Sequence, residues 1–497
     1  MELQFPSLLN LFIFFLFFSM VVKVMNGWKA KNRKLPPGPW RLPLIGNVHQ
    51  LVGSLPHHIL RDLAKKHGPL MHLQLGEISS IVVSSPEIAR EVLITNGITF
   101  AQRPHMIVPS IITYNSRDIS FAPYGSYWRH LRKICTVELL TTKRVQSFRS
   151  IREEEVSALV KAIASNDRSP INLSEKIFSL TYGITSRAAF GSKCKDQDAY
   201  ISIVKAIVEM STGFSLAEMY PSIKVLQVFS GMKRKLENLF QESDRILTGI
   251  LDEHREEIKV EKGQAREDLV TSLLKLQENG DLEFPLTDTD IKAVILDIFN
   301  AGSETSSTIV DWAMAEMVKN PKVLEKAQEE VRRVFDKQGD VDEAGIHELR
   351  YLTAVIKETL RLHPSLPLLL PRESREKCEI KGYQIPEKTQ VIINAWAIAR
   401  DPEYWSEAER FVPEKFLDSS LDFRGTDLEF IPFGAGRRVC PGISFALPNI
   451  ELPLAKLLYH FDWKLPNGMK GEYLDMSEAF GLTVRRKDDL ILVPTTY

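Results

Sequence analysis

The stretch Ile431-Pro-Phe-Gly-Ala-Gly-Arg-Arg-Val-Cys-Pro-Gly442 constrains this chain more than any other. It sets one cysteine, Cys440, behind a loop rich in glycine and arginine and ahead of a long apolar pattern of helical period. Gly434, Gly436 and Gly442 let backbone approach a flat ligand closely and supply dihedrals that other residues avoid. Phe433 can pack beside the sulfur, and Arg438 can pair with an acidic group on a ligand rim. If Pro441 opens the following helix, Cys440 caps it and lies at the positive end of its dipole. Positive potential keeps a thiolate deprotonated, and a thiolate is a strong iron ligand. Taken alone, a lone intracellular cysteine is more often a small buried hydrophobe.

The spacing Phe433-x-x-Gly436-x-Arg438-x-Cys440-x-Gly442 resembles the haem-binding signature of the cytochrome P-450 family, and the likeness runs from a proline-rich segment at Leu35 to the C-terminus. It implies a mainly α fold with a smaller β-rich portion, with haem b held through Cys440 as axial ligand. The implied reaction inserts one oxygen atom into a C–H bond of a lipophilic small molecule. Electrons would come from NADPH through NADPH–cytochrome P-450 reductase, with cytochrome b5 a further partner. The segments HHILRDLAKKHGPLMHLQLGEIS and FDWKLPNG resemble the plant microsomal branch that oxidises sesquiterpenes, diterpenes and indole alkaloids.

Composition narrows the field further. The 497 residues contain no Gly/Ser linker through their bulk and no internal repeat. A net charge of −1 with 26% charged residues argues against a nucleic-acid partner. Cys135, Cys194, Cys378 and Cys440 are scattered without a C-x-x-C pair. That fits a reducing compartment rather than a disulfide framework or a zinc site.

Leu8 to Val22 is almost wholly apolar, and the run from Phe5 to Met25 reaches the about 17 to 25 residues that a membrane span needs. No basic region precedes it and no small-x-small cleavage site follows, which argues against a cleaved secretory signal. Lys23, Lys29, Lys31, Arg33 and Lys34 come after it, so the rest of the chain is expected on the cytosolic side. The expected organisation is a transmembrane anchor over 1–25, a basic and proline-rich hinge over 26–40, and a catalytic domain over 41–497. By the resemblance, the membrane is that of the endoplasmic reticulum, crossed once.

Along the chain, the spacing predicts a helix over 51–66, then a hairpin of Leu70 to Leu75 and Ile78 to Val83 about Gly76-Glu77. Another helix is expected from the cap and proline of Ser85-Pro86-Glu87. Residues 101–115 read as a loop, with Ile107, Ile111 and Ile112 either substrate contacts, as the resemblance implies, or core. Trp128 and Arg132 share one helical face. They form an ordinary amphipathic helix or, by resemblance, meet a haem propionate. Residues 145–260 read as amphipathic helices, and 253–268 as a solvated, charge-rich connection.

Ile291 to Lys319 has a long helical pattern interrupted by Ala301-Gly302-Ser303-Glu304-Thr305-Ser306. The Thr305 hydroxyl can reach the Ala301 carbonyl four residues back and open the helix locally. The segment resembles the family's oxygen-activation motif, in which Glu304 and Thr305 would relay protons. Phe299 and Ala301 on the same helix are substrate-contact candidates. Further on, Glu358-x-x-Arg361 resembles the family's buried clamp, but Lys415 stands where an arginine is expected and cannot form a forked contact. Pro448 should kink the helix after Cys440. Leu366 to Arg372 resembles a strand past the haem, with Leu368 and Leu369 facing substrate and Arg372 a propionate. Phe480 is placed near substrate by resemblance alone.

Apolar pocket candidates favour a terpenoid over an indole alkaloid, which an acidic contact would help. The acid–alcohol pair argues against two readings of another class, a haem-thiolate isomerase and a non-catalytic haem-binding protein.

Overall fold

In a computed structural model, the structure describes residues 34–191, 197–211, 215–224, 226, 231–260, 268–280, 283–479 and 481–497. The expected anchor and Phe480 lie outside these. Among the described residues no helix is long and apolar enough to cross a membrane.

The fold is mainly helical with a small sheet portion. Strands β1 (Leu70–Leu75) and β2 (Ile78–Val83) form the expected hairpin, in register from Leu70 opposite Val83 to Leu75 opposite Ile78. Two short strands far along the chain, β3 (Arg372–Glu373) and β4 (Gln390–Ile393), complete a four-stranded sheet in the order β1-β2-β4-β3. Ser85 accepts from the Ile88 amide and caps Pro86–Arg90, as its sequence predicts.

Five helices position the site: α1 (Ser126–Ile134), α2 (Leu173–Phe190), α3 (Asp288–Lys319), α4 (Arg350–Leu362) and α5 (Ile443–His460). The 32-residue α3 is central, and α2, α4 and α5 all pack on it. Thr287 and Asp290 form a reciprocal capping box at its start, and almost every residue from Ser303 to Val318 is buried. A helix covered on nearly all sides needs no narrow apolar stripe.

Several local expectations fail for identifiable reasons. Within 101–115, Ile107–Ile112 is a short helix. Pro109 is its third residue, where the missing N–H would have had no intrahelical acceptor. The supposed connection over 253–268 is helical at its start, since one helix runs Met232–Val260. At its far end Asp268 is buried and caps Leu269–Asn279. Leu366 to Arg372 is irregular up to Arg372, because Pro367 and Pro371 cannot donate to a ladder, and Leu369 has φ +51°. The kink expected at Pro448 is compatible with α5, which runs continuously through it and through a second proline, Pro453. Burial of the helix among α3 and its neighbours outweighs two lost ladder bonds.

The Glu358–Arg361 pair is fully buried on α4 and doubly hydrogen-bonded, Nε to Oε2 at 2.7 Å and Nη2 to Oε1 at 2.8 Å. Arg361 also donates to the carbonyls of Ala399, Ala408 and Arg410, and Glu358 accepts from the Val412 amide at 2.9 Å. Lys415 Nζ reaches Glu358 Oε1 only at 3.4 Å and spends other donors on the Glu407 and Arg410 carbonyls. The clamp therefore closes without a second arginine. Glu358→Gln should cost about 3 to 5 kcal/mol by stranding a buried guanidinium, whereas Lys415→Met should cost about 1 kcal/mol or less. Thermal unfolding of the two variants checks the difference, and equal losses would place Lys415 at the heart of the clamp.

Candidate active site

The cysteine loop is held by its own backbone. The Cys440 amide donates to the Phe433 carbonyl at 3.0 Å, and the Gly442 amide donates to Cys440 Sγ at 3.3 Å. Helix α5 starts at Ile443 with Gly442 as its cap, so Cys440 is not the cap and Pro441 is not the first helical residue. The reason is local: Gly442, at φ −90° and ψ 7°, turns its N–H back onto the sulfur. Burial pushes the thiol's pKa up, while that N–H and Arg132 pull it down. Gly436 has φ +68°, and a Cβ there would lie 2.1 Å from the Leu93 carbonyl oxygen. Gly434 is also left-handed, at φ +71°.

An apolar cavity of about 240 Å³ lies against this loop, bordered by Phe433, Gly434, Arg438, Cys440 and Gly442. Trp128, Arg132, Arg372 and Arg438 all border it, as does an arginine that sequence reasoning missed, Arg103. Arg438 donates to the carbonyls of Ala101, Ile119 and Ala122, and its guanidinium lies 4.2 Å from the centre of the Trp128 ring. Arg103 donates to the Ser120, Leu370 and Pro371 carbonyls. Arg372 donates to the Ala435 carbonyl at 3.1 Å through Nη2, but its buried Nη1 has no protein partner. Burial holds the three down: Arg103 to about 10, Arg372 to about 9 and Arg438 to about 8, with mutual repulsion adding to the last two. The Trp128 N–H donates to the Ile119 carbonyl at 2.9 Å, so it is not free for a ligand as the resemblance implied.

A second cavity of about 620 Å³ adjoins the first, and Asp297, Ala301, Thr305 and Leu369 border both. Thr305 Oγ1 donates to the Ala301 carbonyl at 2.5 Å, yet α3 continues through this turn as helix rather than opening. Ser365 Oγ adds a donor to the Thr305 carbonyl at 3.1 Å. Glu304 borders the larger cavity, and burial raises its carboxyl pKa.

The remaining substrate candidates divide. Ile112, Ala301, Leu368 and Leu369 border the larger cavity. Ile107 and Ile111 pack instead into the core built with Met232–Val260. Phe299 is fully buried among the rings of Tyr182, Phe190 and Tyr200, because it faces α2 rather than the cavities. Besides Arg103, sequence reasoning missed the carboxyl groups of Asp118 and Asp297. A charged residue in an otherwise apolar stretch was the only local signal for Asp297, and Asp118, among Asn115, Ser116 and Arg117, had none.

An apolar cavity with a cysteine sulfur in its wall, several arginines at its border and an unpartnered guanidinium nitrogen on Arg372 suits a dianion with a metal at its centre, which is the demand made by haem. Arg372 Nη1, Arg132 and Arg438 would hold the two carboxylates, and Cys440 the iron. Residues 36–492 match the family described as Cytochrome P450, and the chain belongs to that family. It is 50% identical to premnaspirodiene oxygenase of Hyoscyamus muticus, over 100% of this chain and 99% of that protein. It is 54% identical to tabersonine 6,7-epoxidase isoform 1 of Catharanthus roseus, over 98% and 97% of the two chains. A solved zebra fish cytochrome P450 structure with abiraterone superposes with a TM-score of 0.76 at 26% identity, covering 89% of this chain and 99% of that one. The protein is a haem-thiolate monooxygenase that uses haem iron, a reductase as redox partner and a small-molecule substrate.

Arg372→Leu should remove a charge-assisted contact of about 1.5 to 3 kcal/mol. Haem transfer to apomyoglobin should accordingly speed up about tenfold or more, and an unchanged transfer rate would exclude Arg372 from the carboxylate contact.

Proposed function

We propose that this chain hydroxylates or further oxidises a lipophilic plant specialised metabolite with NADPH and O2, as a single-pass protein of the endoplasmic reticulum whose catalytic domain faces the cytosol. The observation that carries this is the adjoining pair of cavities, one walled by Cys440 and the other by apolar side chains around Ala301 and Thr305. When bound, haem supplies the oxygen chemistry. Glu304 holds a proton at its carboxyl, and Thr305 Oγ1, its own hydrogen engaged by the Ala301 carbonyl, keeps its lone pairs open to accept a hydrogen bond and orient a proton-bearing group beside it. Pocket residues exclude water and orient a C–H bond.

Relatives of this chain act on terpenoids and on tabersonine alkaloids. The apolar lining supports the terpenoid expected from sequence, and the buried acids Asp118 and Asp297 favour the alkaloid reading. Exposed Trp40, Val52 and Leu216 support a membrane-facing surface next to the hinge, where Tyr220 Oη donates to the Leu44 carbonyl and ties two segments together. Cytochrome b5 is a proposed accessory donor.

The reduced, carbon-monoxide-bound protein should show the strongly red-shifted Soret band of a thiolate-ligated haem, lost in Cys440→Ala. Haem bound without that band would overturn the thiolate assignment. With reductase present, Thr305→Ala should lower product formed per NADPH by about 10²-fold. Because burial raises the pKa of Glu304, it keeps its proton to a higher pH than an ordinary carboxyl. Turnover should fall as pH rises through that pKa, and Glu304→Gln should abolish this alkaline limb; a limb that survives would assign it to another group.

A further inference from the structure

Thr305 is held from two directions. Its hydroxyl donates to the Ala301 carbonyl at 2.5 Å, and its own carbonyl accepts from Ser365 Oγ at 3.1 Å. A carbonyl oxygen has two lone pairs, so the Ser365 bond adds to the helical ladder of α3 instead of replacing a rung. Ala301 and Gly302, just before Thr305, bring almost no side chain to pack, and glycine loosens a helix. Polar contacts therefore carry more of the positioning at this turn than elsewhere along α3.

Ser365 is itself seated by a circuit of contacts that returns to the same helix. Its carbonyl accepts from the Val484 amide at 2.9 Å, and the Val484 carbonyl accepts from Trp312 Nε1 at 3.2 Å. Trp312 lies about two turns after Thr305 on α3. Its ring stacks on His363, with centroids 3.9 Å apart and planes 6° from parallel. His363 Nε2 in turn lies 2.8 Å from Glu316 Oε1, about one turn further along α3. The segment His363 to Ser365 is thus fastened to α3 at Thr305, at Trp312 and at Glu316, and all of these groups except Thr305 are buried. Ser365 and Thr305 border the cavity walled by Cys440, while Thr305 and Val484 border the larger one. The bond to Val484 uses the Ser365 carbonyl and the stack uses His363. Neither depends on the Ser365 hydroxyl, whose loss removes the Thr305 contact alone.

We propose that Ser365 is a positioning residue for the monooxygenase reaction, its hydroxyl holding the Thr305 turn so that the Thr305 lone pairs face the iron site. This rests on the reading of Thr305 given above. The circuit through Val484, Trp312 and His363 gives Ser365 a fixed seat from which to hold it.

The test uses the full-length haem-loaded protein in nanodiscs, reduced and bound to carbon monoxide, with the C–O stretch read by infrared spectroscopy. Carbon monoxide at the iron responds to the polar groups beside it. Thr305→Val should shift the stretch, and Ser365→Ala should shift it in the same direction while its Soret band and thermal unfolding stay as in the wild type. Ser365→Thr, which keeps a hydroxyl, should return the stretch to its wild-type position. Trp312→Phe keeps a ring against His363 and leaves the Ser365–Thr305 bond in place, so its stretch should stay put. A shift in Trp312→Phe matching that of Ser365→Ala would mean general loosening and overturn the proposal. An unmoved stretch in Ser365→Ala beside a shifted one in Thr305→Val would sink the positioning role alone. No shift in Thr305→Val would remove Thr305 from the iron site, and the underlying reading with it. The Ser365→Ala and Trp312→Phe comparison decides even if Ser365→Thr fails to fold.

Discussion

Three arginines buried in one apolar cavity are the constraint on which the site depends. Arg103, Arg372 and Arg438 approach from the chain before Ile107–Ile112, from β3 and from the cysteine loop, and their pKa values are held down chiefly by burial. Backbone carbonyls accept from all three and lock three separate segments around the cavity. Carbonyl dipoles do not cancel net charge, so the arrangement is complete only with an anion against Arg372 Nη1. Haem is thus a structural partner of this fold as well as the source of its chemistry.

The opposite wall is α3, and its polar residues divide their labour. Some serve the helix itself: Ser303, Thr305 and Thr308 each donate to a carbonyl four residues back. Others reach across to neighbours. Asp297 gathers the amides of Ile119 and Ser120, which fixes the segment that also presents carbonyls to Arg438 and to the Trp128 indole. The acidic neck and the cationic rim are therefore mechanically joined through residues 118–122. A change at Asp297 would disturb both the substrate chamber and the haem cradle.

Charge is used differently beneath the cysteine loop. Glu358 and Arg361 sit at 0% side-chain exposure and neutralise each other in a forked pair. Lys415 adds a longer contact from a less buried position. The departure from the family's pattern at this position leaves the pair intact, because the Glu358 carboxylate is already filled by Arg361 and the Val412 amide.

The helical class, the β1–β2 hairpin, the Ser85 cap, Cys440 and the clamp were legible because each depends on residues close together in sequence, where spacing translates directly into geometry. Ile107–Ile112 and the start of α5 were misread because proline's effect depends on position and packing. A third-position proline loses no helical bond, and burial overrode the loss at Pro448 and Pro453. By itself the sequence determined the thiolate loop, the long helix with Glu304 and Thr305, and the family they define. Only the tertiary structure decided that the Trp128 N–H is spent on Ile119, that Phe299 belongs to an aromatic core, and that Arg103 borders the cavity walled by Cys440. It alone brought Asp118 beside Asp297, whose contacts span up to 178 residues of chain. The partner of a buried polar group is chosen by packing across such separations, and no local pattern records that choice.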